Sequence, residues 1–291
     1  MSDTLDRSKL RAQNRKNLKI VSEPHPFLKW AGGKRQLLKQ LDPFIPSKIK
    51  HYIEPFVGGG ALFFYLLPEN AVLIDNNPVL INVYKVIQKS VDELIEHLKQ
   101  HKNEKEYFYQ IRELDRFSSF ANLSPMEKAS RTIFLNRTCF NGLYRVNSKG
   151  YFNVPFGKYK NPVICDEKNL RTVHEALQGI KIIEASFESV LDYATQESLI
   201  YFDPPYMPLS KTSNFTGYTK ELFRKEDQIR LKEIINQLNE LGCNIMLSNS
   251  YCDFILDLFS EYNIHTLSAK RAINSNGKKR GAIPEVLITN F

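Results

Sequence analysis

Apolar and polar positions follow two rhythms along the chain. Residues 51–56 and 71–74 are short apolar runs of the kind that form buried strands. Between them Gly58, Gly59 and Gly60 lead into an apolar stretch at 61–67 that reads as a helix. Asp75-Asn76-Asn77-Pro78 stops the second run, so the opening is a βαβ unit. From residue 80 to 140 no strand-like alternation occurs. Ser90 and Glu93 have the spacing of a capping box, with Val91, Leu94, Ile95 and Leu98 at helical intervals. Ser124-Pro125-Met126-Glu127 repeats the device with proline at the first helical position and predicts a helix towards Arg137. After about residue 178 the first rhythm returns, with strands expected at 181–185, 198–202 and 244–247. A helix is expected at 224–241, its apolar face carrying Ile229, Leu231, Ile234, Ile235, Leu238 and Leu241 before Gly242 ends it. Residues 264–270 and 286–291 predict an antiparallel pair joined by a basic loop at 274–281 that includes Lys278, Lys279 and Arg280.

Together these elements predict an α/β fold: an open, mostly parallel sheet with an antiparallel C-terminal strand, interrupted by a mainly helical insert. The expected division is a flexible basic tail at 1–25, a sheet domain from 26–82 and 176–291, and an insert at 83–175. A chain of 291 residues with 42% hydrophobic and 25% charged positions can bury a sizeable core and is neither disordered nor fibrous. No apolar run approaches the ~20 residues that span a bilayer, and the first residues lack the apolar core of a signal peptide, which disfavours membrane and secreted classes. Forty Lys and Arg against thirty-two Asp and Glu leave a net charge of +8, which favours a polyanionic partner. The four cysteines (Cys139, Cys165, Cys243, Cys252) have no CxxC spacing and no metal-type pairing with His, so reduced thiols in a cytosol and no metal are expected.

Two short segments carry candidate chemistry. Glycines between a strand and a helix let a ligand approach the backbone and the free amides of the helix start, and Asp75 ends the next strand, where an acidic side chain can take ribose hydroxyls. The ligand is not a dinucleotide, since GxGxxG would need glycine at Phe63. Trp30-Ala31-Gly32-Gly33-Lys34 is no P-loop, because Leu28 stands at the first glycine position and Arg35 replaces Ser/Thr. Trp30 and Lys34 suit instead the carboxylate end of an amino-acid-bearing nucleoside, or else a core tryptophan beside a surface lysine. The second segment, Asp203-Pro204-Pro205-Tyr206, follows the apolar run at 199–202. Ligands of open α/β sheets gather at such strand ends. A nucleobase amine delocalises its lone pair into the ring and is a poor nucleophile. The Asp203 carboxylate and Pro204 carbonyl, accepting its two N–H groups, favour a pyramidal nitrogen with the lone pair aimed outward. Pro204 and Pro205 stiffen the turn, and Tyr206 offers a face to a base extruded from its stack.

In this order, Phe27-Leu28-Lys29-Trp30-Ala31-Gly32-Gly33-Lys34, Glu54-Pro55-Phe56-Val57-Gly58-Gly59-Gly60 and Asp203-Pro204-Pro205-Tyr206 resemble the DNA adenine methylase (Dam) family. The resemblance runs from about residue 26 to 291. It implies a Rossmann-like methyltransferase sheet with an inserted DNA-recognition domain, S-adenosyl-L-methionine as methyl donor, and adenine N6 as acceptor. It further implies that Trp30, Lys34, Gly58, Gly59, Gly60, Asp75 and Asp203 contact the donor, while Asp203 to Tyr206 face the adenine. Where relatives read Gly-Ala-Gly this chain has three glycines, a small departure. Asn141-Gly142-Leu143-Tyr144-Arg145-Val146-Asn147 and Phe152-Asn153-Val154-Pro155-Phe156-Gly157-Lys158-Tyr159 resemble the GATC-modifying subgroup that includes restriction–modification enzymes. Such an enzyme is expected to be cytoplasmic, nucleoid-associated and of prokaryotic type. Its expected partners are double-stranded DNA and a cognate restriction endonuclease, with no membrane, and its expected state is a monomer or weak dimer.

Independently of the resemblance, residues 128–160 hold Lys128, Arg131, Arg137, Arg145, Lys149, Lys158 and Lys160 with no acidic residue. Phe134, Phe140, Tyr144, Tyr151, Phe152, Phe156 and Tyr159 are interleaved with them. Cations for phosphates beside stacking faces suit a nucleic acid, although Phe134 and about half the others fit a core equally well. Arg145 is the candidate for bidentate guanine readout. The resemblance places Leu143, Arg145 and Pro155 in the target-reading part, Phe140 and Asn141 near the gap left by a flipped base, and Lys29 near the first base pair. Arg137 and Lys158 are expected to meet phosphates. No cysteine follows proline (the preceding residues are Thr138, Ile164, Gly242 and Tyr251), which disfavours the cytosine-C5 mechanism. N4-cytosine methylation shares the Asp-Pro logic and stays open beside N6-adenine, as does a non-catalytic DNA-binding regulator that retains the donor pocket.

Overall fold

The computed structural model describes residues 12–14, 22–30, 32–207, 223–270 and 282–291; the basic loop expected at 274–281 and most of the expected tail lie outside these. The apolar runs become seven strands: β1 (His51–Glu54), β2 (Ala71–Asp75), β3 (Lys181–Glu184), β4 (Ser198–Phe202), β5 (Asn244–Ser250), β6 (Asn263–Lys270) and β7 (Ala282–Thr289). They form one sheet in the order β3-β2-β1-β4-β5-β7-β6. The first five run parallel, and β7 is antiparallel to both its neighbours. Every residue of β4 is buried, because side chains alternate between two covered faces. Leu199 and Tyr201 enter one core, Ile200 and Phe202 the other.

The first face is covered by α1 (Ala61–Leu66), α2 (Pro78–Lys89), α3 (Val91–Lys99) and, later in the chain, residues 167–176. The second is covered by residues 225–240 and by Ile255 and Phe259. A third core lies beyond the first face, where Phe108 of α4 (Lys105–Glu113) and Phe134 and Leu135 of α5 (Pro125–Thr138) meet Tyr144, Phe152 and Val154. Helices α6 (Glu167–Ala176), α7 (Lys225–Glu240) and α8 (Asp253–Leu258) follow later in the chain. The expected cuts at 82/83 and 175/176 fall within α2, which packs on the sheet, and α6, which packs on α2 and α3 in the same core, while a separate core centres on α4, α5 and the loop at 143–156.

One local expectation holds and others change. The Ser124 side chain caps α5 and Glu127 returns the bond, as the spacing predicts. Ser90 makes no side-chain cap. Its N–H is already donated to the Val86 carbonyl at the end of α2, so the reciprocal half of a capping box is taken. On α7, Ile229 and Leu241 are exposed, because only the stripe through Leu231, Ile234, Ile235 and Leu238 meets the sheet. The end of the expected tail is fastened to α6: the Asn169 amide accepts from the His25 N–H at 3.0 Å and donates to its carbonyl at 3.0 Å.

Candidate functional site

The strand order reverses between β1 and β4: β2 and β3 lie to one side, β5 and the antiparallel pair to the other. At such a switch point two neighbouring strand ends diverge and open a crevice. The glycine turn follows β1, and Asp203-Pro204-Pro205-Tyr206 follows β4. Sheet topology therefore brings together segments about 145 residues apart.

The glycine turn needs its glycines. Gly58 and Gly60 have φ of +47° and +66°. A methyl group on Gly60 would stand 2.6 Å from the Tyr84 hydroxyl, and one on Gly58 would stand 3.1 Å from the Trp30 ring. Tyr84 also donates to the Gly58 carbonyl at 3.0 Å. Asp75 holds the other side, accepting from Gly58 N–H at 3.0 Å and from Asn77 N–H at 3.0 Å. The Trp30 indole lies over this turn and stacks on Tyr144 with ring centres 5.1 Å apart, so it touches both the sheet core and the insert. Gly60→Ala is expected to destabilise the fold by about 1–3 kcal/mol, since a side chain at this φ is strained and Tyr84 has to move. Calorimetric melting checks this, with Gly59→Ala, at a negative φ and with only ordinary contacts, as the neutral control.

Opposite the turn, Lys34 is buried. Its ammonium lies 3.0 Å from Asp203 Oδ1, 3.8 Å from Glu285 Oε2 and 4.3 Å from the centre of the Tyr206 ring, and donates to the Gly32 carbonyl at 2.9 Å. Tyr206 in turn donates to Glu285 at 2.7 Å. Beneath the turn, Glu54 is buried and accepts from the Tyr52 hydroxyl at 2.8 Å. Burial raises the carboxyl of Glu54 well above the usual range, and the nearby charges of Asp203 and Asp75 add to this. Asp75 is pushed up to about 6 by burial, against the pull of its two backbone N–H donors. Asp203 is also pushed up to about 6 by burial, with Lys34 opposing and Glu285 assisting. Two carboxyl groups, Asp203 and Glu285, thus flank Lys34 directly, with Asp75 on the other side of the glycine turn. That excess of negative charge fits a ligand carrying positive charge.

The sign of the linkage follows. A carboxyl at 3.8 when unfolded and about 6 when folded adds stability below the lower value, and that contribution is lost as pH rises through the upper one. Relative to Asp203→Asn, the ligand-free protein is expected to lose melting temperature between pH 5 and pH 7. A difference that stays constant over that window would contradict the shift.

The other expected residues divide into two groups. Lys29, Phe140, Asn141, Arg145, Pro155 and Lys158 are exposed and Leu143 is half-buried. They share one surface: Phe140 N–H donates to the Pro155 carbonyl at 2.8 Å, and Lys29 packs against Gly142. Asn136, buried in α5, fixes this surface to the loop that carries Trp30 and Lys34 by accepting from Lys29 N–H at 2.8 Å and donating to the carbonyls of Lys29 and Gly142 at 2.9 Å each. Arg137 is turned inward instead. Its guanidinium donates to the Phe27 carbonyl at 2.8 Å, and burial lowers its pKa. Arg131 is spent in the same way on the Ile111 and Arg112 carbonyls and on Asp115. These two look like surface cations in the sequence because α5 reads as an ordinary helix, whereas it is enclosed on nearly all sides. Of the interleaved aromatics, Phe134, Tyr144 and Phe152 are core and Phe140 is exposed. Sequence reasoning assigned no role to Glu54, which stood in the quoted motif, or to Tyr84 and Glu285, which carry no local signal. Among the described residues no group of three or more His, Cys, Asp or Glu side chains is arranged to hold a metal ion, and no helix is long and apolar enough to cross a membrane.

Comparison with known proteins adds the chemistry's name. Residues 30–273 match the family described as D12 class N6 adenine-specific DNA methyltransferase. The chain is 45% identical to a type II methyltransferase of Lactococcus lactis subsp. cremoris, covering 91% of this chain and 95% of that one. It is 47% identical to a type II methyltransferase of Methanocaldococcus jannaschii, covering 92% and 100%. It is 34% identical to a DNA adenine methylase of Haemophilus influenzae, covering 94% and 96%.

Proposed function

The chain belongs to the D12 class N6 adenine-specific DNA methyltransferases, and from that premise we propose that it methylates N6 of adenine within GATC in duplex DNA. S-adenosylmethionine is the donor, and the enzyme serves as the modification partner of a restriction endonuclease. The family places it with adenine-N6 rather than cytosine-N4 enzymes. The observation that carries the reading is the meeting of Lys34, Asp203 and Tyr206 across the switch point from the glycine turn.

The residues fit the donor. S-adenosylmethionine, when bound, supplies an electrophilic methyl group on a sulfonium. Asp203 and Glu285, two acidic side chains against the one ammonium of Lys34, suit that cation and an α-ammonium, and Lys34 itself suits the donor's carboxylate. Asp75, fixed at the end of β2 by two amides, is placed for ribose hydroxyls. Asp203 and the Pro204 carbonyl accept the target amine's two hydrogens and set its lone pair outward. Tyr206 stacks on the everted ring, held by Glu285. No covalent intermediate on the protein is required, and the rate comes from positioning and fixed acceptors. When the amine attacks, it sheds one proton towards Asp203 or solvent. The surface of Lys29, Phe140, Asn141, Leu143, Arg145, Pro155 and Lys158 reads the duplex, with Phe140 filling the vacated stack, Lys29 at the first base pair and Lys158 meeting phosphate.

Incubation with methyl-labelled donor and duplexes with or without GATC, followed by nucleoside analysis, tests this. Label on N6-methyladenine in the GATC duplex alone is expected. Label on cytosine, or none, would overturn the function; label in both duplexes would overturn only the GATC assignment.

A further inference from the structure

On the buried face of α7, Gln228 continues the apolar stripe of Leu231, Ile235 and Leu238, yet it is polar and fully buried. A side-chain amide in such a place costs stability unless each of its groups is satisfied. Its Nε2 donates to the Pro205 carbonyl at 3.3 Å, and its Oε1 accepts from Asn249 Nδ2 at 3.0 Å. Asn249 is also fully buried, on β5, and its Oδ1 accepts from the Ser250 N–H at 2.9 Å. That backbone donor fixes which way the Asn249 amide faces. Asn249 then fixes Gln228, so the proton-donating end of Gln228 is aimed at the turn without ambiguity.

Pro204 and Pro205 have no N–H, so the turn cannot tie itself down through their own amides. The carbonyl of Pro205 is held from outside, by a helix and a neighbouring strand. This fixes the peptide plane that links Pro205 to Tyr206, and Glu285 fixes the other end of Tyr206 through its hydroxyl. Building on the reading of Asp203 to Tyr206 as the reacting turn, we infer that Gln228 and Asn249 are positioning residues for methyl transfer. Their relay holds the turn in the one shape in which Asp203 and Pro204 converge on the target amine. An apolar side chain at 228 would fill the core as well but would take the Gln228 donor away from the Pro205 carbonyl and loosen the turn.

The test is single-turnover methylation of a GATC duplex by the full chain, alongside equilibrium binding of donor and of DNA and thermal melting. Gln228→Leu is expected to slow the chemical step about 10–100-fold, as small misplacements of reacting groups do, with both affinities within about twofold of wild type. Gln228→Glu supplies the signature that a merely structural role would not give. A carboxyl donates to the Pro205 carbonyl only when protonated, so its rate relative to wild type at the same pH should rise as pH falls from 8 to 6. Asp203, Lys34, Tyr206 and Glu285 surround the turn in both proteins and cancel in that ratio. A wild-type rate for Gln228→Leu overturns the inference, as does a joint loss of rate, binding and melting temperature with no acid recovery in Gln228→Glu. Asp203→Ala, run in parallel, separates the two levels. If it keeps wild-type activity, the reading of the turn itself fails; if it is inactive while the Gln228 variants are not slowed, only the relay fails.

Discussion

Asp203→Ala is expected to lower single-turnover methylation by about a hundred- to a thousandfold, the loss typical when a preorganised group aimed at the reacting atoms is removed. Asp203 directly follows a wholly buried strand and presents its carboxylate to Lys34 at 3.0 Å across the crevice. Without it the target amine loses the charged one of its two acceptors, and the nitrogen stays conjugated to its ring. The fold should survive. Burial pushes the Asp203 carboxyl up to about 6, so its ionised form is held at a cost at neutral pH, and alanine removes that cost. A melting temperature near wild type, DNA binding retained and rapid-quench rates at background are therefore expected together. A rate within tenfold of wild type would remove Asp203 from the reaction, and a collapsed melting curve would recast it as structural.

Arg145→Ala is expected to cost about 1–3 kcal/mol of discrimination, some 5- to 150-fold, at one base pair of the site while donor affinity stays unchanged. The side chain is exposed and held from behind. Its Nε donates to Asn153 Oδ1 at 2.7 Å, and a terminal nitrogen lies 3.4 Å from the Asn153 carbonyl, which orients the guanidinium before DNA arrives. Arg145→Lys should rescue little, since an ammonium lacks the two-pronged geometry. Competition between duplexes that differ at single positions measures the effect. An equal loss on every sequence would show that Arg145 meets phosphate and reads no base.

How far these residues are legible in the sequence depends on the range of the interactions that place them. The strands show themselves as uninterrupted apolar runs because both faces of β4 and its neighbours are covered. The two motifs show themselves because glycine and proline have local conformational consequences: the positive φ of Gly58 and Gly60, and a turn at Asp203 stiffened by two prolines. Glu285 is different. It reaches Tyr206 across 79 residues, through a strand inserted antiparallel between β5 and β6, and nothing near it in sequence announces a partner. Gln228 and Asn249 are hidden for the same reason, as ordinary polar residues whose burial is decided by tertiary packing. Arg131 and Arg137 mislead in the opposite direction: composition counts them as cations for DNA, while the enclosure of α5 turns both into struts for backbone carbonyls. Ser90 shows that a capping-box spacing does not ensure the box: its N–H goes to the Val86 carbonyl of the preceding helix and its side chain makes no cap.

The most direct measurement is a crystal structure of the protein with a GATC duplex and a non-reactive donor analogue. The target adenine should be out of the helix, its amine nitrogen within about 3 Å of both the Asp203 carboxylate and the Pro204 carbonyl, with Tyr206 against the ring. An adenine still stacked in the duplex, or an amine held by other groups while Asp203 remains paired only to Lys34, would contradict the account.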